Sequence, residues 1–127
     1  MKKILYLMLP LLLHAEGIFF EESSRIQETF RELEFENETV RVWKTTIYPN
    51  SPLKMHRHEK PRLIIALNGG TLKKITERGE ITYLRFDTGR PVWMDADPPG
   101  ELHADVNESD APIVVLVVEM KVEYPDI

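Results

Sequence analysis

Three of the four histidines in this 127-residue chain are spaced so that they could bind one metal ion. His56 and His58 stand in the stretch MHRHEKPR, and His103 follows much later in PPGELHADVN. On a β-strand, residues i and i+2 point to the same face, so His56 and His58 are predicted to project together. Neutral imidazole is a common ligand of Zn, Fe, Mn, Ni and Cu, and three imidazoles leave coordination positions open. An isolated H-x-H pair could equally be a solvated strand edge.

The context of His103 favours the metal hypothesis. The stretch reads P-x-G-x-x-H-x-x-x-N, with Pro98, Gly100 and Asn107 in the fixed positions. Together with HRH and the later Gly69, it resembles the paired motifs of the cupin superfamily. Those motifs are G-x5-H-x-H-x3–4-E-x6-G and G-x5-P-x-G-x2-H-x3-N; in the same order, the first is matched by His56, His58 and Gly69, and the second by Pro98, Gly100, His103 and Asn107.

The resemblance spans about residues 36–121. It implies an all-β fold, an antiparallel cupin-type β-barrel (a double-stranded β-helix, jelly-roll-like), which is often dimeric. It also implies a divalent transition metal inside the barrel, with His56, His58 and His103 as ligands. Some cupin oxygenases, including the thiol dioxygenases, are known for such a three-histidine site.

Arg62 stands where the first motif has its glutamate, because six residues separate it from Gly69. Arginine stays protonated and cannot ligate a metal. Two unit charges about 4 Å apart interact by roughly 4 kcal/mol at an effective dielectric of 20, so Arg62 is not expected inward beside a dication. Three arrangements are open. Arg62 turns away or pairs with an acid; it clamps a substrate carboxylate or phosphate near the cavity mouth; or the metal is lost and the pocket binds an anion.

Other carboxylates could replace the missing glutamate. Asp105 shares strand parity with His103 and is the better placed candidate for an extra carboxylate ligand. Glu59 and Glu101 have the opposite parity or lie in turns, so they are poorer candidates.

The elements that must position these residues are short strands. From about residue 29 onward, stretches such as TVRVWKTTIY, RLIIAL and EITYLRF alternate with turns such as NGG and DADPPG. About eight strands at this spacing favour a β-sandwich or a small closed barrel. The run PIVVLVVEMKVEY predicts a long strand that is buried on both faces. Residues 36–127 are assigned to the barrel, and residues 16–35 to an N-terminal arm or first strand.

The N-terminus, MKKILYLMLPLLLHAEG, has the order of a secretory signal peptide. Two lysines precede the apolar run 4–13, and Ala15 offers a small residue for cleavage. The run is short for a membrane span, although a short anchor or a buried first strand are alternatives. We therefore predict a signal peptide over residues 1–15 and a periplasmic or secreted protein that is free of the membrane after cleavage.

Composition excludes several function classes. The net charge is −5 and no long block of like charges occurs, which argues against a nucleic-acid partner. The chain has no cysteine, so it forms no disulfide and uses no thiolate chemistry. The sequence thus predicts an exported, homodimeric metal-binding protein that acts on or binds a small anionic molecule with oxygenase- or isomerase-like chemistry. The alternative is a non-catalytic pocket for a small ligand, with a degenerate or metal-free site.

Overall fold

The computed structural model describes residues 27–121, and all regular structure in that range is β-strand. The signal peptide predicted for residues 1–15 lies outside the described residues. No helix within the described range is long and apolar enough to cross a membrane. The nine strands are β1 (Phe30–Glu36), β2 (Val40–Ile47), β3 (Leu53–His56), β4 (Arg62–Asn68), β5 (Gly70–Thr76), β6 (Ile81–Phe86), β7 (Pro91–Met94), β8 (His103–Asn107) and β9 (Ile113–Met120).

The strands form two antiparallel sheets. The first has five strands in the order β1-β2-β9-β4-β7, and the second has four in the order β3-β8-β5-β6. Apart from β1-β2 and β5-β6, neighbouring strands are distant in sequence, so each sheet is assembled from both halves of the chain. This topology brings the two histidine-bearing segments, β3 and β8, side by side although His56 and His103 are 47 positions apart in the sequence.

The core lies between the sheets and is built by strand alternation. Buried and partly buried residues alternate along β4, β8 and β9, so each strand presents one face to the interior. The prediction that the last strand is buried on both faces is wrong, because only every second residue of β9 is buried. The fully buried apolar side chains are Ile47, Ile64, Ala66, Leu72, Phe86, Ile113, Val115 and Val117.

Two motif residues have structural roles in this frame. A Cβ at Gly69 would collide with the backbone oxygen of Phe86 and approach Thr88 N at 2.8 Å, so only glycine fits there. Asn107 is completely buried, and its amide donates to Ile47 O at 2.9 Å and Ala111 O at 2.7 Å. It therefore ties three segments together by hydrogen bonds.

Strand β1 is an irregular edge strand. Its pairing with β2 shifts register between Leu33 and Phe35, which is the geometry of a β-bulge. The irregular alternation of TFRELEF in the sequence has this physical cause. The bulge places Arg31 and Leu33 on the face that looks toward the interior, and Phe30 and Phe35 on the outer face.

Candidate metal centre

The three histidines come together at one end of the space between the sheets. His56 ends β3 and pairs with His103 on β8, so these two side chains are neighbours across the strands. His58 lies two residues beyond β3, in the loop to β4. The strand-parity argument for His56 and His58 was therefore incomplete, since the second histidine is held by a loop.

Asp97 holds that loop in place. The backbone N–H of His58 donates to Asp97 Oδ2 at 2.7 Å, and the backbone N–H of Asp97 donates to His58 O at 2.8 Å. Asp97 Oδ2 also lies 3.4 Å from His103 Nδ1. One buried carboxylate thus orders two of the three histidines.

The ring nitrogens converge as metal ligands would. The Nε2 atoms of His56 and His58 are 3.1 Å apart, and the potential ligand atoms of the three histidines lie within 4.8 Å of one another. Two imidazole nitrogens bound at about 2.1 Å to one ion are separated by roughly 3.0–3.4 Å in octahedral or tetrahedral geometry. His56 Nδ1 is 2.7 Å from Lys54 O, so Nδ1 carries the proton and Nε2 is left as the lone-pair nitrogen.

Burial keeps two of these imidazoles neutral. Burial, aided by the nearby charge of Arg62, lowers the pKa of His58 to about 3. Burial also lowers the pKa of His56, although the Lys54 carbonyl and Asp105 oppose the shift. Metal ligation requires the unprotonated ring, so the donors are in the state that an ion needs.

Asp105 adds a carboxylate to the group. It points inward from β8, and its Oδ2 lies 3.5 Å from His56 Nε2 and 3.6 Å from His103 Nε2. The other acids considered from sequence are elsewhere. Glu59 is exposed, and Glu101 lies 3.6 Å from Lys74.

Arg62 lies inside the protein and pairs with an acid, which is one of the three arrangements that the sequence left open. Its side chain is 3% exposed, with Nη2 3.9 Å from Asp97 Oδ1 and Nη1 donating to Asp95 O at 3.1 Å. The physical reason is a buried carboxylate that the sequence did not reveal. Asp97 lies in DADPPG, which reads only as a turn, and no local pattern links it to Arg62.

Asp97 stays ionised in this environment. Burial by itself would raise the pKa of Asp97, but the His58 N–H and the charges of His103 and Arg62 together hold it below its usual range. Burial lowers the pKa of Arg62, whereas Asp97 and Asp105 raise it. The two charges therefore compensate one another beside the histidines.

An apolar cavity opens from the histidines into the space between the sheets. Its volume is about 50 Å³. Arg62 and the histidine centre form its polar end, and Arg31 lies at its border. The remaining walls are mostly aliphatic or aromatic: Ile47, Leu53, Ile64, Leu72, Leu84, Phe86, Met94, Val115 and Val117.

Comparison with known proteins gives the fold. No family model matches the sequence, and no curated protein matches it. A cupin domain from Bordetella pertussis is 22% identical with a TM-score of 0.66, covering 75% of this chain and 95% of its own. An RmlC-like cupin family protein with a double-stranded β-helix fold from Methanocaldococcus jannaschii is 14% identical (TM-score 0.56, 76% and 84% covered). The polyketide cyclase RemF from Streptomyces resistomycificus is 20% identical (TM-score 0.54, 78% and 69% covered). The all-β architecture predicted from the two motifs is confirmed.

Proposed function

Taking the cupin-type double-stranded β-helix of this chain as the premise, we propose that it holds one divalent transition metal ion on His56, His58 and His103. The observation that carries the proposal is the convergence of the three imidazoles, with two Nε2 atoms 3.1 Å apart. Asp105 supplies a carboxylate beside two of the ligands, in the role that the motif gives to a glutamate. The donor set of imidazoles with one carboxylate suits Zn, Fe, Mn, Ni or Cu.

The chain's own residues prepare the site for a small molecule. A bound ion would supply Lewis-acid or oxygen-activating chemistry. The apolar walls exclude water and accommodate the body of the ligand, and Asp97 orders the histidines on their far side. Arg62 is engaged by Asp97 and Asp95, so its role is to balance buried charge. The hypothesis that Arg62 also binds the anionic group of a substrate stays a prediction, since Arg62 lines the cavity.

Metal analysis of the chain from residue 16, purified without a histidine tag, tests the proposal. We expect close to one equivalent of a transition metal after reconstitution. A His56→Ala/His103→Ala double variant should lose it, and an Asp110→Asn variant at an exposed site should retain it. Less than roughly a tenth of an equivalent in the unaltered chain would refute the metal centre, since three converging imidazoles bind such ions strongly.

A non-catalytic ligand-binding role is the second candidate. The observation that favours it is the predominantly apolar lining of the cavity, which could retain a small molecule without metal. Native mass spectrometry of the metal-free protein separates the two functions. Retention of a small molecule by both the metal-free chain and the double histidine variant would favour the binding role.

Export and removal of residues 1–15 complete the proposal for the native protein. Export and cleavage are supported by the order of two lysines, an apolar run and Ala15 in the sequence. N-terminal sequencing of the protein recovered from the periplasm of a bacterial expression host should begin at Glu16. A cytoplasmic protein that starts at residue 1 would contradict it.

We also propose that two copies pair through the outer face of the five-stranded sheet. One apolar row crosses all five strands in register, namely Phe35, Val42, Val118, Leu63 and Trp93. Its two ends are half exposed, Phe35 at 54% and Trp93 at 50%. Beside the row, Glu32 and Lys44 lie opposite one another across the strands and have opposite charges, so this part of the face carries no net charge.

Light scattering after size exclusion tests this pairing. The unaltered chain should be a dimer, and a Leu63→Glu/Trp93→Glu variant a folded monomer. An Ile81→Glu/Tyr83→Glu variant, which alters exposed side chains of the other sheet, should remain a dimer. A monomeric unaltered protein, or a dimer that persists in the first variant, would refute pairing through this face.

A further inference from the structure

Arg31 stands where the routes to the histidine centre meet. It lies on β1 opposite the buried Thr45, and its guanidinium carbon is 4.4 Å from the centre of the Trp43 ring. It borders the central cavity, a cleft that contains His56, and a second cleft that contains His58. Arg31 therefore borders every one of these three spaces, each of which is lined by at least one residue of the histidine centre.

The guanidinium of Arg31 has no partner within residues 27–121. It makes no hydrogen bond there and no ion pair within 4.0 Å, whereas Arg41 is paired with Glu36 and Arg62 with Asp97. Burial against its neighbours lowers the pKa of Arg31, the charge of Glu119 raises it, and Arg41 lowers it further. Its five N–H donors are thus available, since stacking on Trp43 uses only the face of the guanidinium.

The surroundings of Arg31 are electropositive. The cleft beside it is lined by five basic side chains and two acidic ones, an excess of three positive charges in a chain of net charge −5. The basic residues are Arg31, Arg41, Arg57, Lys60 and Lys121, and the acidic residues are Glu59 and Glu119. A cleft of one sign raises the local concentration of counter-ions and attracts anionic ligands.

The cavity next to Arg31 is mostly apolar. Leu53, Leu84 and Val117 line it together with Arg31, and His58 and His103 line it as well. A ligand that matches both parts has one anionic group and a short apolar body. A carboxylate fits the fork of the guanidinium, which can bind both oxygens at once.

We propose that Arg31 binds the carboxylate of a small monocarboxylic acid whose apolar body lies in the cavity. The carboxylate docks on Arg31 at the mouth, and the other end of the molecule points toward His56, His58 and His103. This orientation rests on the proposed function of the histidines, but the docking on Arg31 does not require a metal. Arg31 would therefore decide which molecules enter the site.

Trp43 provides a direct readout of this docking. The chain has two tryptophans, so a Trp93→Phe background leaves Trp43, under Arg31, as the reporter. Metal-free protein is titrated with propionate and with benzoate, and each acid is compared with its neutral amide. We expect a saturable change in fluorescence with the acids, and binding at least about tenfold weaker for the amides and for Arg31→Gln, as for loss of a charged hydrogen bond.

Matched variants keep the test specific. Arg90→Gln removes an exposed arginine of the same charge and should bind as the background does. Arg31→Lys keeps the charge without the fork and should fall between the background and Arg31→Gln. No saturable signal from either acid, equal binding by Arg31→Gln, or equal binding of acid and amide would each overturn the proposal.

Metal content distinguishes this proposal from the function on which it rests. Arg31→Gln should retain the metal of the unaltered chain, because Arg31 is not a ligand. Arg31-dependent carboxylate binding in a chain that binds no metal would sustain the docking site and refute the metal centre. Full metal content together with carboxylate binding that does not depend on Arg31 would sustain the metal centre and refute the docking site.

Discussion

The buried pair of Arg62 and Asp97 should contribute strongly to stability. The two side chains are 3% and 5% exposed, and Nη2 lies 3.9 Å from Oδ1. At an effective dielectric of 20, two unit charges at this distance interact by about 4 kcal/mol. Removing one partner leaves the other charge buried, which costs about 3–5 kcal/mol. Arg62→Met and Asp97→Asn should each lower the free energy of unfolding by an amount of this order, and the double variant by far less than their sum.

A double-mutant cycle measured by urea unfolding of the metal-free protein gives the coupling energy. We expect about 3 kcal/mol or more for the buried pair. Arg85 and Asp87 form a matched surface pair, 3.0 Å apart and 66% and 54% exposed, and the Arg85→Met/Asp87→Asn cycle should give under about 1 kcal/mol. Equal coupling in the two cycles would refute the reasoning that burial makes the Arg62 pair strong.

The same variants report on the metal centre. The charge of Arg62 is one of the causes that lower the pKa of His58, so it acts on the electrostatic potential at the ligands. Arg62→Met should therefore bind a divalent ion more tightly than the unaltered chain, by on the order of tenfold or more. Weaker binding would mean that Arg62 maintains the geometry of the site more than it repels the ion. Isothermal titration with Zn²⁺ measures the difference.

Three further predictions concern single positions. Asp105→Asn should weaken metal binding by about 10- to 100-fold in isothermal titration, because Asp105 lies beside two of the histidines. Asp110→Asn should leave the metal affinity unchanged. Equal metal affinities of the two variants would show that Asp105 does not belong to the site. Gly69→Ala should lower the free energy of unfolding by about 2 kcal/mol or more, because its Cβ meets backbone atoms that cannot move aside; an unchanged urea midpoint would contradict this. Hydrogen bonds from Lys121 and Arg41 lower the pKa of Glu36, so its stabilising contribution is present above the unfolded pKa of about 4.3 and is lost as pH falls through the folded value. The difference in urea midpoint between Glu36→Gln and the unaltered chain should accordingly shrink below about pH 4, and a difference that stays constant with pH would argue against it.

The local residue pattern was sufficient to predict the strands in which inward-facing and outward-facing side chains alternate regularly. RLIIAL and HADVN became strands in which every second residue is buried, because the period of two along a strand sorts side chains between core and exterior. The same period placed Asp105 on the inner face with His103. The prediction that β9 is buried on both faces was wrong for a related reason. Its outer residues belong to the apolar face of the sheet, and composition does not distinguish such a face from the core.

Conformations set by distant contacts could not be read from the sequence. His58 lies outside β3, and its direction depends on Asp97, almost forty residues away. The irregularity of β1 was visible in TFRELEF, but the bulge that turns Arg31 toward the interior depends on register with β2. Local spacing carries no information about such pairings.

The sequence by itself determined the all-β fold, the two histidine segments and the absence of the motif glutamate. Strand periodicity and motif spacing are local properties, and they persist whatever the rest of the chain does. Only the tertiary structure decided how the charge of Arg62 is balanced and that Arg31 borders the cavity. The interaction of two charges depends on the distance between them in the fold. The pairing of Arg62 with Asp97 is therefore visible only in the folded protein. The same is true of the position of Arg31 over Trp43.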